Sequence, residues 1–225
     1  MELNELIKKG CLLLEPKFEE INLPAKEGEQ ERASKSNLLE RKTFRVALIS
    51  IFTALAVVIG YALVFIPNVE LFTLMIFLAG FILGKRDGFV VGLMSSFIFV
   101  FFNPYGISPL PLFAYQLAHY SLVGLFGGLT HDYLIKREFF KPKDDLYVFP
   151  VLLVFAVIGA FITFSFDIIT TLIIAVVFYG TLDSFWPVYL FGLPFTTVHL
   201  IGNTLGFIFV LPLLIQIMYK LLDLD

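Results

Sequence analysis

The chain has 225 residues, of which 58% are hydrophobic and only 16% charged, with a mean hydropathy of +0.88. Nine of its 16 Lys/Arg and nine of its 19 Asp/Glu precede Val46, so the rest of the chain holds too few charges to cover a water-facing surface. The net charge of −3 leaves no basic footprint for nucleic acid, and the single cysteine, Cys11, excludes a disulfide framework or a cysteine-rich metal site.

Composition therefore predicts an all-α integral membrane protein with a soluble N-terminal tail. Residues 1–43 read as cytoplasmic tail and linker. Within them, residues 1–23 place Leu3, Leu6, Ile7 and Leu13 or Leu14 roughly on one side, which suits a surface amphipathic helix or, equally, a loosely ordered tail. The acidic start (Glu2, Glu5) and the short apolar run 12–14 do not make a signal-peptide core. Residues 24–36 lack apolar periodicity and read as linker, and Asn37 with Glu40 forms a capping pair for a helix entering the membrane.

A six-helix membrane domain is expected over residues 44–219, followed by a short cytoplasmic C-terminus at 220–225. Its apolar stretches are 44–67, 69–84, 88–102, 109–129, 147–180 and 186–219. A spanning helix needs roughly 20 residues. The second and third stretches fall short of that length, and the last two exceed it and must contain loop, tilt or a break. Charge placement supports six spans with both termini inside, in a multi-pass plasma-membrane protein. The tail, Lys85-Arg86-Asp87, residues 130–146 and the C-terminus then carry all 16 Lys/Arg, and the three opposite segments carry none. A re-entrant hairpin in place of spans two and three would strand Lys85 and Arg86 in the bilayer.

Catalytic and nucleotide motifs are missing from the sequence. Gly80-Phe-Ile-Leu-Gly84-Lys85 is one residue short of a P-loop and lacks the following Ser/Thr; it reads as a helix end with a glycine stop. His119, His131 and His199 are isolated and make no metal site. The expectation is no enzyme, no cofactor and no metal.

Polar residues inside the apolar helices remain, and these are costly and often functional. Gln116, His119 and Tyr120 share a face of the fourth span. Thr163, Asp167, Thr170 and Thr171 share one on the fifth, and Thr196, His199 and Asn203 one on the sixth. At about 1.5 Å per residue, Gln116 and His119 lie roughly 10–15 Å from the outer start of their helix. By the same rise Asp167 and His199 lie about 30 Å from their inner ends, so all sit in the outer half of the bilayer. Helix-to-helix glue is the alternative to a ligand pocket. The expected pocket comprises Gln116, His119, Asp167, Thr170, His199 and Asn203, with Glu70 and Tyr61 near its lid. On the first span, Ser50 with Ala54 and Ala56 with Gly60 have the small-residue spacing of a docking face or of internal packing, and Gly88 and Gly92 on the third add to it.

The sequence resembles the substrate-binding S component of energy-coupling factor (ECF) transporters over about residues 44–219. The resemblance is carried by Pro67-Asn-Val-Glu-Leu71, Leu78-Ala-Gly-Phe-Ile-Leu-Gly84, Gly88-Phe-Val-Val-Gly92 and Asn103-Pro-Tyr-Gly106. It continues in Gln116 before Gly124-Leu-Phe-Gly-Gly128, in Phe166-Asp-Ile-Ile-Thr-Thr171 and in His199-Leu-Ile-Gly-Asn203. It implies six helices, a substrate site near the outer surface beneath the first loop, and a vitamin-like small molecule as cargo. It also implies a membrane T subunit, two cytoplasmic ATPases as partners, and contact with the T subunit through small residues of the first helix. Ser50, Ala54, Ala56 and Gly60 are the candidates, although a clean Ala-x-x-x-Ala is missing.

Two other readings remain at this stage. One is a scaffold similar to the shape-determining MreD-type proteins in helix count and hydropathy. The other is a self-contained secondary transporter, against which the lack of a repeat of helix triplets counts. A scaffold does not need polar faces at one depth, whereas a binder does. The outer-half ionisable groups Glu70, Asp167 and Asp183 have no base among them, which favours a neutral or amine-bearing cargo with aromatic character.

Overall fold

The computed structural model describes residues 41–66, 69–222 and 224, so the expectations for the tail before residue 41 lie outside the described residues. The described chain forms six helices and, among these residues, no strand. They are α1 (Lys42–Leu63), α2 (Phe72–Leu83), α3 (Lys85–Phe101), α4 (Leu110–Leu134), α5 (Phe149–Tyr179) and α6 (Leu182–Leu222). Of these, α1, α5 and α6 are long and apolar enough to cross a bilayer.

The shortness of α2 has a physical reason. Every residue of its 12 except Ile82 is buried, because α1, α3, α4 and α6 all pack against it. A helix apolar all round belongs in an interior, and one shielded by neighbours need not match the bilayer thickness. Gly84 alone turns the chain from α2 into α3, at φ 91°, a region that side chains other than glycine rarely adopt. Lys85-Arg86-Asp87 therefore forms the first turn of α3, where Asp87 favours the positive helix end and accepts from Arg45 at 2.6 Å.

Helices α2, α3 and α4 meet at glycines. A Cβ on Gly80 would overlap the Gly124 carbonyl, and a Cβ on Gly124 would overlap that of Gly88. Gly92 lies in the same way against the Tyr120 carbonyl of α4. Gly88 and Gly92 thus serve internal packing, and not an outward docking face.

Helix α5 runs unbroken for 31 residues, about 46 Å, and packs mainly on α6. Of the loop, tilt or break expected there, neither loop nor break interrupts it. Helix α6 carries the irregularity instead: Pro194 lies inside it, and Gly206–Val210 forms a π turn. The buried residues His199, Asn203, Phe207, Leu211, Ile215 and Tyr219 recur every fourth position. A regular α-helix would rotate such a row by about 40° per step, and the wide turn swings it back toward the core. Phe207 seats on Gly159 and meets Phe77 edge-on at 5.1 Å, joining α5, α6 and α2.

Candidate functional site

The two ends of the bundle differ in charge. Every Lys and Arg among the described residues lies at the end holding the start of α1, the Gly84 turn, the segment after α4 and the end of α6. Cross-links gather there: Lys85 with Asp132 at 2.9 Å, His131 with Tyr219 at 3.0 Å, and Gln216 donating to the Asp144 carbonyl at 2.6 Å. The other end, formed by the loops 64–71, 102–109 and 180–184, has no Lys or Arg among the described residues.

A polar centre lies within the bundle on the side of that cation-free end. Glu70, just ahead of α2, accepts at Oε1 from Thr73 Oγ1 and from Asn203 Nδ2 at 3.2 Å, and the same oxygen lies 3.3 Å from His199 Nε2. The other ring nitrogen of His199, Nδ1, lies 2.9 Å from Asp167 Oδ1. The imidazole of His199 thus stands between the two carboxylates, with Asn203 Nδ2 also 3.3 Å from its Nε2. The second hydrogen of the Asn203 amide goes to Thr163 Oγ1 at 3.1 Å. His199, Asn203 and Thr163 are buried at 7%, 4% and 1% exposure, which is tolerable for polar groups only because each is paired.

Glu70 and His199 form the polar floor of a cavity of about 270 Å³. Phe72, Phe99 and Phe166 wall it, with Phe72 and Phe99 stacked at 4.6 Å, and Gly60 leaves room beside them. Leu63, Val64, Ile66 and Val69 of the α1–α2 loop and Tyr105 of the α3–α4 loop form its rim. Tyr105 is held there by local turn chemistry: Asn103 Oδ1 accepts its N–H at 2.9 Å and Gly106 follows at φ 101°. Its ring meets Phe65 edge-on at 6.4 Å, so the two loops touch across the mouth.

The structure sorts the expected site residues. Glu70, Asp167, His199 and Asn203 meet directly through the bonds above. Gln116 Oε1, Thr170 Oγ1 and the second carboxylate oxygen of Asp167, Oδ2, are buried with no hydrogen-bond partner among the described residues. His119 does not join the centre. Its Nδ1 lies 3.3 Å from the Tyr115 hydroxyl, and it lines a separate apolar groove of about 260 Å³ between α4 and α5. Phe166 touches both histidines, with centroids 5.0 Å from His119 and 6.0 Å from His199. Tyr61 stands behind the wall and not in the cavity, donating to the Ile98 carbonyl at 3.0 Å and packing on Phe99.

The small residues of α1 divide as well. Ser50 and Ala54 are exposed on one face together with Ala47. Ala56 is fully buried, and Gly60 faces the rings of Phe99 and Phe72, so neither reaches a surface where a partner docks. Sequence reasoning placed no role on Thr73, Phe72, Phe99 or Tyr105. Thr73 sits three residues after Glu70, a spacing that brings a hydroxyl back to a carboxylate at a helix start, and Asn-Pro-Tyr-Gly is a turn signal that presents its Tyr. Phe72 and Phe99 carry no such signal among 27 phenylalanines.

Among the described residues, no group of three His, Cys, Asp or Glu is placed to hold a metal ion. Compared with protein-family models, with curated proteins and with solved structures, the chain matches none of them. The arrangement can do one thing chemically with the groups it presents. It can hold a small molecule between aromatic walls and a hydrogen-bonding floor.

Proposed function

We propose that this chain is the membrane-embedded substrate-binding subunit of an uptake system for a vitamin-like small molecule, energised by partner ATPases in the manner of an ECF transporter. The observation that carries the reading is the cavity beneath the α1–α2 loop, with Glu70 and His199 at its floor and Asp167 and Asn203 bonded to them from other parts of the sequence. Buried polar groups at one depth are expensive in a membrane protein, and a mere scaffold gains nothing from them. In this reading all six helices span the plasma membrane with both termini inside, and the cation-free end faces outward. The sequence carries no phosphate-binding loop, so energy comes from a T subunit and two ATPases, with Ala47, Ser50 and Ala54 presenting the small-residue face of α1 to the T subunit.

Two measurements test this together. Co-expression with a T subunit and its ATPases should yield one complex whose ligand uptake stops when ATP hydrolysis is blocked. A thermal-unfolding screen of the purified chain against vitamins and modified nucleobases should find a stabilising ligand. Full-rate uptake by the chain alone would make it a secondary transporter, and failure of every compound to stabilise it would favour a scaffold.

A further inference from the structure

The groove between α4 and α5 lies apart from the cavity and has a polarity of its own. Its floor is buried, at Val123 and Ile162, and its banks carry the exposed apolar side chains Leu122, Phe126 and Phe161. Helix α5 is long and apolar enough to cross a bilayer, so these banks face hydrocarbon, and an apolar space of this kind stays dry. Its volume of about 260 Å³ falls below the roughly 300–1,000 Å³ of sites for drug-sized molecules, which leaves room for a slim chain.

Polar groups occur toward one end only. Helix α4 runs away from the cation-free end and α5 toward it, which puts Tyr115, His119 and Ser165 nearer that end than Leu122, Phe126 and Phe161. About 10 Å of helix separates His119 from Phe126, at 1.5 Å per residue. The Tyr115 hydroxyl donates to the Ser165 carbonyl at 3.3 Å and stands equally far from His119 Nδ1, and Ser165 Oγ donates to the Ile162 carbonyl at 2.8 Å. His119 Nε2 is different. It has no partner among the described residues, on a side chain only 9% exposed. The nitrogen is not sealed in, and the groove is the cavity that His119 lines.

A polar atom left unmade in apolar surroundings is costly, and a group that meets it is favoured. A hydroxyl both donates and accepts, so it serves Nε2 whichever ring nitrogen carries the proton, whereas a hydrocarbon serves neither tautomer. The order of groups also matters. A hydrogen-bonding nitrogen toward the cation-free end, with an apolar floor beyond it, matches an amphiphile standing in that leaflet with its polar end toward water.

We propose that the α4–α5 groove is a lipid site for a single-chain amphiphile with a hydroxyl head. The hydroxyl pairs with His119 Nε2, and the chain runs over Val123 and Ile162 toward Phe126. The site is distinct from the substrate cavity and stands or falls apart from the uptake reading.

The full chain in phosphatidylcholine nanodiscs is photolabelled with octanol carrying a diazirine near the far end of its chain. Label should fall on residues 122–126 and 161–162. At equal mole fraction in the membrane, dodecanol should compete roughly fivefold better than dodecane, the factor that one neutral hydrogen bond gives. His119→Phe keeps a ring and removes the nitrogen, so the two competitors should become equal. Ala118→Phe adds a ring on an exposed bank of the groove and should abolish the label, and it serves should His119→Phe fail to fold. Label spread evenly over the apolar helices, or label that persists in Ala118→Phe, overturns the site. Equal competition by dodecane in the unsubstituted chain, or an unchanged preference in His119→Phe, overturns the hydroxyl and leaves a crevice filled by hydrocarbon.

Discussion

Helices α2, α3 and α4 are locked at Gly124, and a single methyl group there should be felt by the whole domain. In Gly124→Ala the new Cβ falls on the Gly88 carbonyl, which is backbone of a neighbouring helix and has no rotamer to change. Overpacking a well-filled interior typically costs about 1–3 kcal/mol, and an overlap with backbone belongs at the upper end. Alanine gains back roughly 1 kcal/mol over glycine in a helix, which leaves a net loss of about 2 kcal/mol. For a domain of this size that is a fall of about 4–8 °C in melting temperature. Gly202→Ala on α6 is the matched control, since nothing lies within 4 Å of its added Cβ, and it should leave the melting temperature unchanged or raise it. Thermal unfolding in detergent followed by tryptophan and tyrosine fluorescence reads both. Equal melting temperatures for Gly124→Ala and the unsubstituted chain, or equal losses at both positions, would refute the close approach of α3 and α4.

Three further outcomes are expected. Thr163→Val removes one acceptor of the Asn203 amide and should cost about 1 kcal/mol, whereas Asn203→Leu also strips Glu70 of a donor and should cost about twice that; reversal of this order in thermal unfolding would contradict the geometry. Ala54→Leu should weaken capture of a co-expressed T subunit without lowering the melting temperature, while Ala56→Leu should lower the melting temperature by overpacking a fully buried site; equal behaviour of the two would deny that α1 has distinct inner and outer faces. In a Cys11→Ser background, an impermeant thiol reagent should label Tyr105→Cys on intact cells and Lys143→Cys only after permeabilisation, and the opposite pattern would invert the proposed topology.

What the sequence discloses here follows from how local each signal is. Helix order and approximate bounds come from hydropathy along the chain, which needs no knowledge of neighbours, and the polar positions on α5 and α6 come from periodicity. Pairing between helices is not local. Glu70 and His199 are 129 residues apart, and nothing in either segment sets their meeting except the packing of α2 against α6. The same limit explains His119. A helical wheel puts it on the face of Gln116, but which neighbour that face meets is decided by Phe166, whose ring stands against both histidines. It also explains Ala56 and Gly60, where spacing identifies small residues and cannot say whether they look inward or outward.

The length of α2 connects fold to site. At about 1.5 Å per residue, α1 rises roughly 33 Å and α2 only about 18 Å from the charged end, where Arg45 and Asp87 tie the starts of α1 and α3 together. The chain leaving α1 must therefore descend on the order of 10–15 Å before α2 begins. That descent occupies the loop after Leu63, whose residues rim the cavity, and it ends at Glu70, which reaches both His199 and Asn203 inside the bundle. A spanning α2 would fill the cavity with helix and carry the carboxylate up to the rim. The short helix leaves the space open, roofs it with its own connection and delivers the charge to the floor. Such a helix is stable only because α1, α3, α4 and α6 surround it, and the glycine contacts among α2, α3 and α4 are what bring two of those neighbours close enough to do so.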